Sequence, residues 1–236
     1  MKVLAKIQTG CRRIDQILEG GVPSGSISLI YGEAETGKST LAMQCAVNCA
    51  RQGYKTLFID CDDTFSARRL SQIASEDFSK IAELIILMKP HNFREQTTVI
   101  DRLPDYIAKN FGLIVVDTIT TLYRVKVAES PDKTFELNRE LNRQIAFLAQ
   151  IAKIQRIAIL TTSQVQSVFN ETFVSVAPVA TRVLKFWADT IIAMQPTGNP
   201  QIIKAIIEKT PEKKDFQSFT CLLKLEESGI HEHSSH

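Results

Sequence analysis

Paired cysteines, long apolar runs and a basic excess are all missing from this 236-residue chain, and each absence removes a class of protein. The cysteines, Cys11, Cys45, Cys49, Cys61 and Cys221, are odd in number and show no C-x-x-C spacing, so neither a disulfide framework nor a zinc site is encoded. Cys45 and Cys49 stand one helical turn apart in an apolar segment, where a thiol serves as a small hydrophobe. No apolar run reaches the ~18 residues of a membrane span. Lys6 follows Lys2 before a signal-peptide core can develop, so the expectation is a cytoplasmic protein with no membrane partner. The formal charge is only +2, whereas strong nucleic-acid binders carry a concentrated basic surface; affinity of that kind must be local and modest here. Three of the four histidines, His231, His233 and His236, fall in a polar stretch, 231–236, that reads as a disordered tail.

What is present is ordinary globular composition, 44% hydrophobic and 23% charged, without repeats or linkers, which fits one domain over residues 1–230. Apolar, often β-branched runs recur at Ser28 to Tyr31, Thr56 to Asp60, Leu84 to Met88, Leu113 to Asp117 and Ile157 to Thr161. Helical patterns lie between them at Lys38 to Gln52, Phe93 to Asn110 with a kink at Pro104, and Thr134 to Lys153. Such alternation builds a mainly parallel sheet flanked by helices, an α/β fold. After residue 186 come shorter strand-like segments, Thr190 to Met194, Gln201 to Glu208 and Phe219 to Leu225, which suggest antiparallel strands added at the C-terminal edge of the sheet.

Gly32-Glu33-Ala34-Glu35-Thr36-Gly37-Lys38-Ser39 fits G-x-x-x-x-G-K-[ST] between an apolar strand and a helix pattern. In that context backbone N–H groups and a helix N-terminus converge on phosphate oxygens, so residues Gly32 to Ser39 with Thr40 are read as an ATP cradle. Lys38 would reach the β and γ phosphates, and Ser39 would hold Mg2+. Leu113-Ile114-Val115-Val116-Asp117 is a buried strand ending in a carboxylate, the Walker B pattern, with Asp117 as the second metal anchor. Asp60, Asp62 and Asp63 end another strand, where one carboxylate can orient an attacking water; a solvated acidic turn is the plainer reading. Gln164 ends the Thr161-Thr162-Ser163 run and would sense the γ-phosphate, though a glutamine after a strand is by itself a weak signal.

The order of these motifs resembles the RecA superfamily of P-loop ATPases and, within it, the archaeal RadA/RadB recombinase group, with the RadB branch nearest. The resemblance runs from Thr9-Gly10-Cys11-Arg12-Arg13-Ile14-Asp15 and Leu18-Glu19-Gly20-Gly21-Val22 through Ile59-Asp60-Cys61-Asp62-Asp63-Thr64-Phe65 to Leu160-Thr161-Thr162-Ser163-Gln164-Val165. It ends in Pro178, Leu184 to Trp187 and Glu208-Lys209-Thr210-Pro211. It implies a RecA-like ATPase core and catalysis by Asp62 with Lys38 and Gln164. It also implies single-stranded DNA binding coupled to ATP, and the main RadA-type recombinase as partner; self-association stays open.

On the same resemblance DNA contacts would come from Arg124 and Lys126, and from the loop Val165 to Thr181 with Phe169, Phe173, Arg182 and Lys185 around it. Taken singly these cations read as solvated surface. Only eight residues precede Thr9, so the helical N-terminal domain of full recombinases is not expected, which favours an accessory paralogue. Asp62 stands where the group has glutamate, so hydrolysis is expected to be slow. Other readings are a KaiC-like regulatory ATPase or autokinase, against which Asp62-Asp63 argues because that group pairs glutamates there, and a non-hydrolysing ATP-dependent scaffold.

Overall fold

Four apolar residues in a row are buried together only where both faces of their strand are covered. Leu113 and Val115 enter one hydrophobic core, Ile114 and Val116 a second, and all four are inaccessible to solvent. The computed structural model describes residues 4–107, 110–170, 173–178, 180–211 and 217–233, with the backbone alone at 166–170, 173–178 and 181. Strands β1 (Lys6–Ile7) and β2 (Val22–Pro23) form a small side sheet around α1 (Arg12–Ile17). β3 (Ile27–Gly32) leads into α2 (Lys38–Arg51), and β4 (Lys55–Asp60) into α3 (Ala67–Ala74) and α4 (Phe78–Ala82). β5 (Ile85–Met88) precedes α5 (Phe93–Asp101) and α6 (Leu103–Tyr106); β6 (Phe111–Asp117) precedes α7 (Thr121–Glu129) and α8 (Thr134–Gln155). β7 (Ala158–Asn170), β8 (Phe173–Pro178) and α9 (Thr181–Trp187) lead to β9 (Thr190–Pro196), β10 (Ile202–Lys209), β11 (Phe219–Glu226) and β12 (Gly229–Glu232).

The main sheet runs β12-β11-β10-β9-β3-β7-β6-β4-β5, parallel from β9 to β5 and antiparallel from β9 outward to β12. This is the RecA-like arrangement expected, with the antiparallel strands at the predicted edge. Helix α2 covers one face through Leu41, Cys45 and Cys49, and α8 the other through Leu141, Ile145 and Leu148. All five cysteines are buried free thiols. Among the described residues no helix is long and apolar enough to cross a membrane.

Three expectations change. The helix expected over Phe93 to Asn110 stops at Asp101 and restarts as α6, because Pro104 lacks an N–H and is accommodated only in a first turn. The loop expected from Val165 to Thr181 is largely a hairpin, with Val165 opposite Pro178 and Asn170 opposite Phe173. The tail expected at 231–236 begins inside β12, where His231 and Glu232 pair with Lys224 and Leu223; residues 234–236 lie outside the described residues.

Candidate functional site

The parallel strands β4, β6, β7 and β3 bring Asp60, Asp117, Gln164 and Gly32 to one edge of the sheet, where Asp60 is level with Asp117 and Gly32 with Gln164. β3 ends in glycine because a Cβ at Gly32 would stand 2.1 Å from the Met194 carbonyl oxygen of β9. Gly37 adopts a left-handed φ of +81° and caps α2, so the chain turns from strand to helix within the loop. The loop is tied internally: the Thr36 hydroxyl and the Lys38 ammonium both donate to the Glu33 carbonyl, at 2.8 and 2.5 Å. Glu33 and Glu35 are exposed, Lys38 is buried, and Ser39 and Thr40 are half-buried in the first turn of α2.

Lys38 and Asp117 carry opposite charges that burial disfavours. Burial pushes the Lys38 ammonium below its usual range, against the pull of Asp117, Asp62 and Glu33. Burial likewise pushes the Asp117 carboxyl up, and Asp60 and Asp62 add to the rise, while hydrogen bonds from Thr162 and Ser39 oppose it. A buried cation and a buried anion within electrostatic reach of each other, both disfavoured by burial, fit a ligand that carries both charges, such as a phosphate chain with a divalent ion.

The acidic turn divides its three carboxylates by geometry. Asp60 is buried and accepts the backbone N–H groups of Thr64 and Phe65 at 3.1 and 3.0 Å, so it folds the turn. Asp63, at φ +52°, swings outward to Lys89 at 2.6 Å. Asp62 is left half-buried, within electrostatic reach of both Lys38 and Asp117.

Gln164 accepts a hydrogen bond from Arg124 Nη1 at 2.7 Å. The root of α7 is fastened to the same strand end, with the Thr120 and Ser163 hydroxyls 3.1 Å apart and the Ile119 N–H on the Thr162 carbonyl at 3.1 Å. Arg124 therefore belongs to a helix and is engaged, where a free loop cation was expected.

Two of the remaining DNA candidates have their charges paired. Lys126 pairs with Glu129 at 3.0 Å, and Lys185 pairs with Glu208 at 2.9 Å while lying 5.2 Å over the Tyr31 ring. Arg182 is exposed on α9. Phe169 and Phe173 are placed by backbone on β7 and β8; their side chains lie outside the described residues.

Sequence reasoning missed Thr162, whose hydroxyl donates to Asp117, and Gln44. The buried Gln44 amide donates to the carbonyls of Thr9 (2.8 Å) and Ile230 (3.0 Å) and accepts the Ile230 N–H (2.7 Å), strapping both β12 and the Thr9 turn to α2. Its partners are far away in sequence and carry no local signal.

The sequence profile of the Rad51 family matches residues 1–233. This chain belongs to the Rad51 family. Within that family it is similar to the DNA repair and recombination protein RadB of Methanococcoides burtonii, 35% identical over 82% of this chain and 84% of that protein. The same-named protein of Methanobrevibacter smithii is 33% identical over 98% of this chain and all of the relative. A crystal structure of the RadB recombinase superposes with a TM-score of 0.82 at 29% identity, covering 97% of this chain and 100% of that one. The Rad51-family assignment and the RecA-like order of strands thus rest on independent findings, sequence profile and backbone geometry.

Proposed function

We propose that this chain is a RadB-type DNA repair and recombination accessory protein that binds Mg-ATP, hydrolyses it slowly, binds single-stranded DNA and modulates the main RadA-type recombinase. The observation that carries the nucleotide reading is the juxtaposition of Lys38 and Asp117, two buried charges each disfavoured by burial, at the mouth of a glycine loop. Residues Gly32 to Thr40 would hold the phosphates with Lys38 on the β and γ groups, and Ser39 with Asp117 would hold Mg2+. Held there by Ser39 and Asp117, the metal would supply positive charge against the charge that develops in phosphoryl transfer. Asp62 would orient the attacking water from the turn that Asp60 folds. Gln164 would report the γ-phosphate to α7 through Arg124. Because Asp63 is turned out to Lys89, the acidic pair does not face the loop together, which weighs against the autokinase reading. The DNA repair and recombination part is supported by the RadB relatives, and the single-stranded DNA and RadA-type partner parts by the resemblance of motif order alone.

The test is thermal melting with Mg-ATP together with oligonucleotide binding. The wild type should be stabilised by Mg-ATP and Lys38→Ala should not, because ligand stabilisation follows affinity for the folded state. With so small a net charge, single-stranded DNA affinity should fall with salt at a shallow log-log slope of about −2 to −4. Unchanged Mg-ATP binding by folded Lys38→Ala would remove the nucleotide assignment, and tight, salt-insensitive duplex binding without nucleotide would remove the DNA one.

A further inference from the structure

Glu208 is one residue too many for its strand. The pairing of β10 with β9 runs in step from Ile203, opposite Pro196, to Ile207, opposite Ile192, and then slips, so that Lys209 faces Ile191 and Glu208 is left over. A bulge of this kind re-aims a side chain, and bulges gather beside functional sites. Here the carboxylate accepts from two donors, the Tyr31 hydroxyl at 2.6 Å and the Lys185 ammonium at 2.9 Å. The donors also meet each other, since Lys185 Nζ lies 5.2 Å from the centre of the Tyr31 ring, within cation–π range. β9 runs between β3 and β10 and leaves room for the contact: the residue level with Tyr31 is Ala193, whose side chain is a single methyl.

The three residues belong to different parts of the molecule. Tyr31 immediately precedes Gly32 and so moves with the first residues of the phosphate loop. Lys185 lies in α9, the seven-residue helix that follows the β7–β8 hairpin. Lys209, the next residue of β10, donates to the Ala188 carbonyl at the C-terminal end of that helix at 2.5 Å. Two consecutive side chains of β10 therefore hold α9, and one of them also holds the strand that carries the loop. Burial, with the Glu208 carboxylate beside it, pushes the Tyr31 pKa up, so the hydroxyl stays a donor. The loop itself has a tie to exchange: the Lys38 ammonium rests on the Glu33 carbonyl, two residues beyond Tyr31, and is also the group that would meet the phosphates.

We propose that Glu208 is a positioning residue through which the phosphate loop sets the position of α9. When phosphates draw Lys38 from Glu33, the start of the loop is released, Tyr31 shifts against Glu208, and Lys185 carries the shift to the helix. A path of this kind needs an element with two arrangements that the ligand tells apart, and Lys38 supplies them: on the Glu33 carbonyl without nucleotide, on phosphate with it. The outer side of α9 presents Arg182 and Phe186, both exposed, so the relay decides how that face is held. The proposal rests on the Mg-ATP reading above and on no other part of the proposed function. Helix α9 also carries its own reporter. Trp187 is the single tryptophan of the chain, half-buried two residues after Lys185, with its N–H on Asn142 of α8 at 2.9 Å and its ring edge-on to Phe186, centroids 5.2 Å apart.

The test follows Trp187 emission and the melting temperature of the full chain as a non-hydrolysable ATP analogue is added with Mg2+. In the wild type both should change and saturate at the same analogue concentration. Glu208→Gln keeps an acceptor for Tyr31 and removes the ion pair with Lys185; Tyr31→Phe keeps the ring under Lys185 and removes the hydroxyl. Either variant should still be stabilised by the analogue, which shows that it folds and binds, while its Trp187 response falls severalfold. The double variant should lose no more than the single ones, because both changes cut one path. A brace with no part in coupling would lower the melting temperature and leave the Trp187 response whole, and that outcome overturns the proposal. So does a wild type stabilised by the analogue with a silent Trp187; both results leave the nucleotide reading intact. A wild type that the analogue does not stabilise overturns the nucleotide reading and the relay together. Should the glutamine variant fail to fold, Tyr31→Phe decides alone.

Discussion

Arg124 Nη1 donates to Gln164 Oε1 at 2.7 Å, which joins α7 to the strand end level with Gly32 of the phosphate loop. The contact is exposed, so its worth lies in position more than in stability.

Arg124→Ala should therefore leave the melting temperature nearly unchanged, within about 0.5 kcal/mol of stability. It should free the Gln164 amide and shrink the difference in single-stranded DNA affinity between the ATP- and ADP-bound protein severalfold. Affinity measurements in both nucleotide states decide this: an intact difference in the variant would mean that Gln164 communicates without Arg124.

Lys38 has a measurable consequence even without nucleotide. Burial holds its pKa below the ordinary 10.5. The unfolded chain then binds that proton more tightly than the folded one, so the contribution of this position to stability rises with pH through the window below 10.5. Lys38→Met keeps the bulk and removes the charge, and it should melt a few degrees above the nucleotide-free wild type at neutral pH. The gap should narrow as pH rises through that window. A lower melting temperature for the methionine variant at neutral pH would show that the ammonium is compensated within the free protein.

Asp62 sits on an arm one methylene shorter than glutamate, and a misplacement of ~1 Å can cost on the order of a hundredfold in rate. Turnover should fall far below the ~1–100 per second of kinases. Asp62→Asn should abolish the residual hydrolysis with Mg-ATP binding kept, and Asp62→Glu should raise the rate. Steady-state ATPase assays on the three proteins are sufficient, and an asparagine variant as fast as the wild type would take Asp62 out of the reaction.

Gln44→Leu fills the same space but takes the amide away from the Thr9 carbonyl and the Ile230 N–H, and leaves the Ile230 carbonyl only the weak Cys11 thiol donor at 3.3 Å. Buried orphans of this kind cost about 1–3 kcal/mol each, so a loss of about 3 kcal/mol, or roughly 6–12 °C in melting temperature, is expected. Calorimetry checks it, and a shift under about 2 °C would show that the strap relaxes without penalty.

Much of this arrangement could be read from the chain because its signals are local. Leu113 to Val116 announces a strand covered on both faces, and glycines at 32 and 37 announce a loop that no side chain could follow. Other features depend on contacts that close only in three dimensions. Helices α7 and α9 are short and are placed by Thr120, Arg124 and Trp187 reaching neighbours forty or more residues away. Three adjacent aspartates look equivalent in the sequence, and the left-handed turn at Asp63 with the backbone donors around Asp60 separates them. Strand β12 looked like tail because His231 and Glu232 are polar, yet Ile230 between them and Gly229 is fully buried against α2.

That last contact sets a timetable for synthesis. Ile230 lies directly against Gly37, the second glycine of the phosphate loop, and is gripped by Gln44 across 186 positions of sequence. A ribosome adds about 5–20 residues per second, so α2 waits roughly 10–40 seconds between its own emergence and the arrival of the strand that backs it. Through that interval a nascent chain carries a phosphate loop with no floor beneath it. Nucleotide can mature the fold only once β12 has been made, which makes that strand the step that commits a new molecule to ligand.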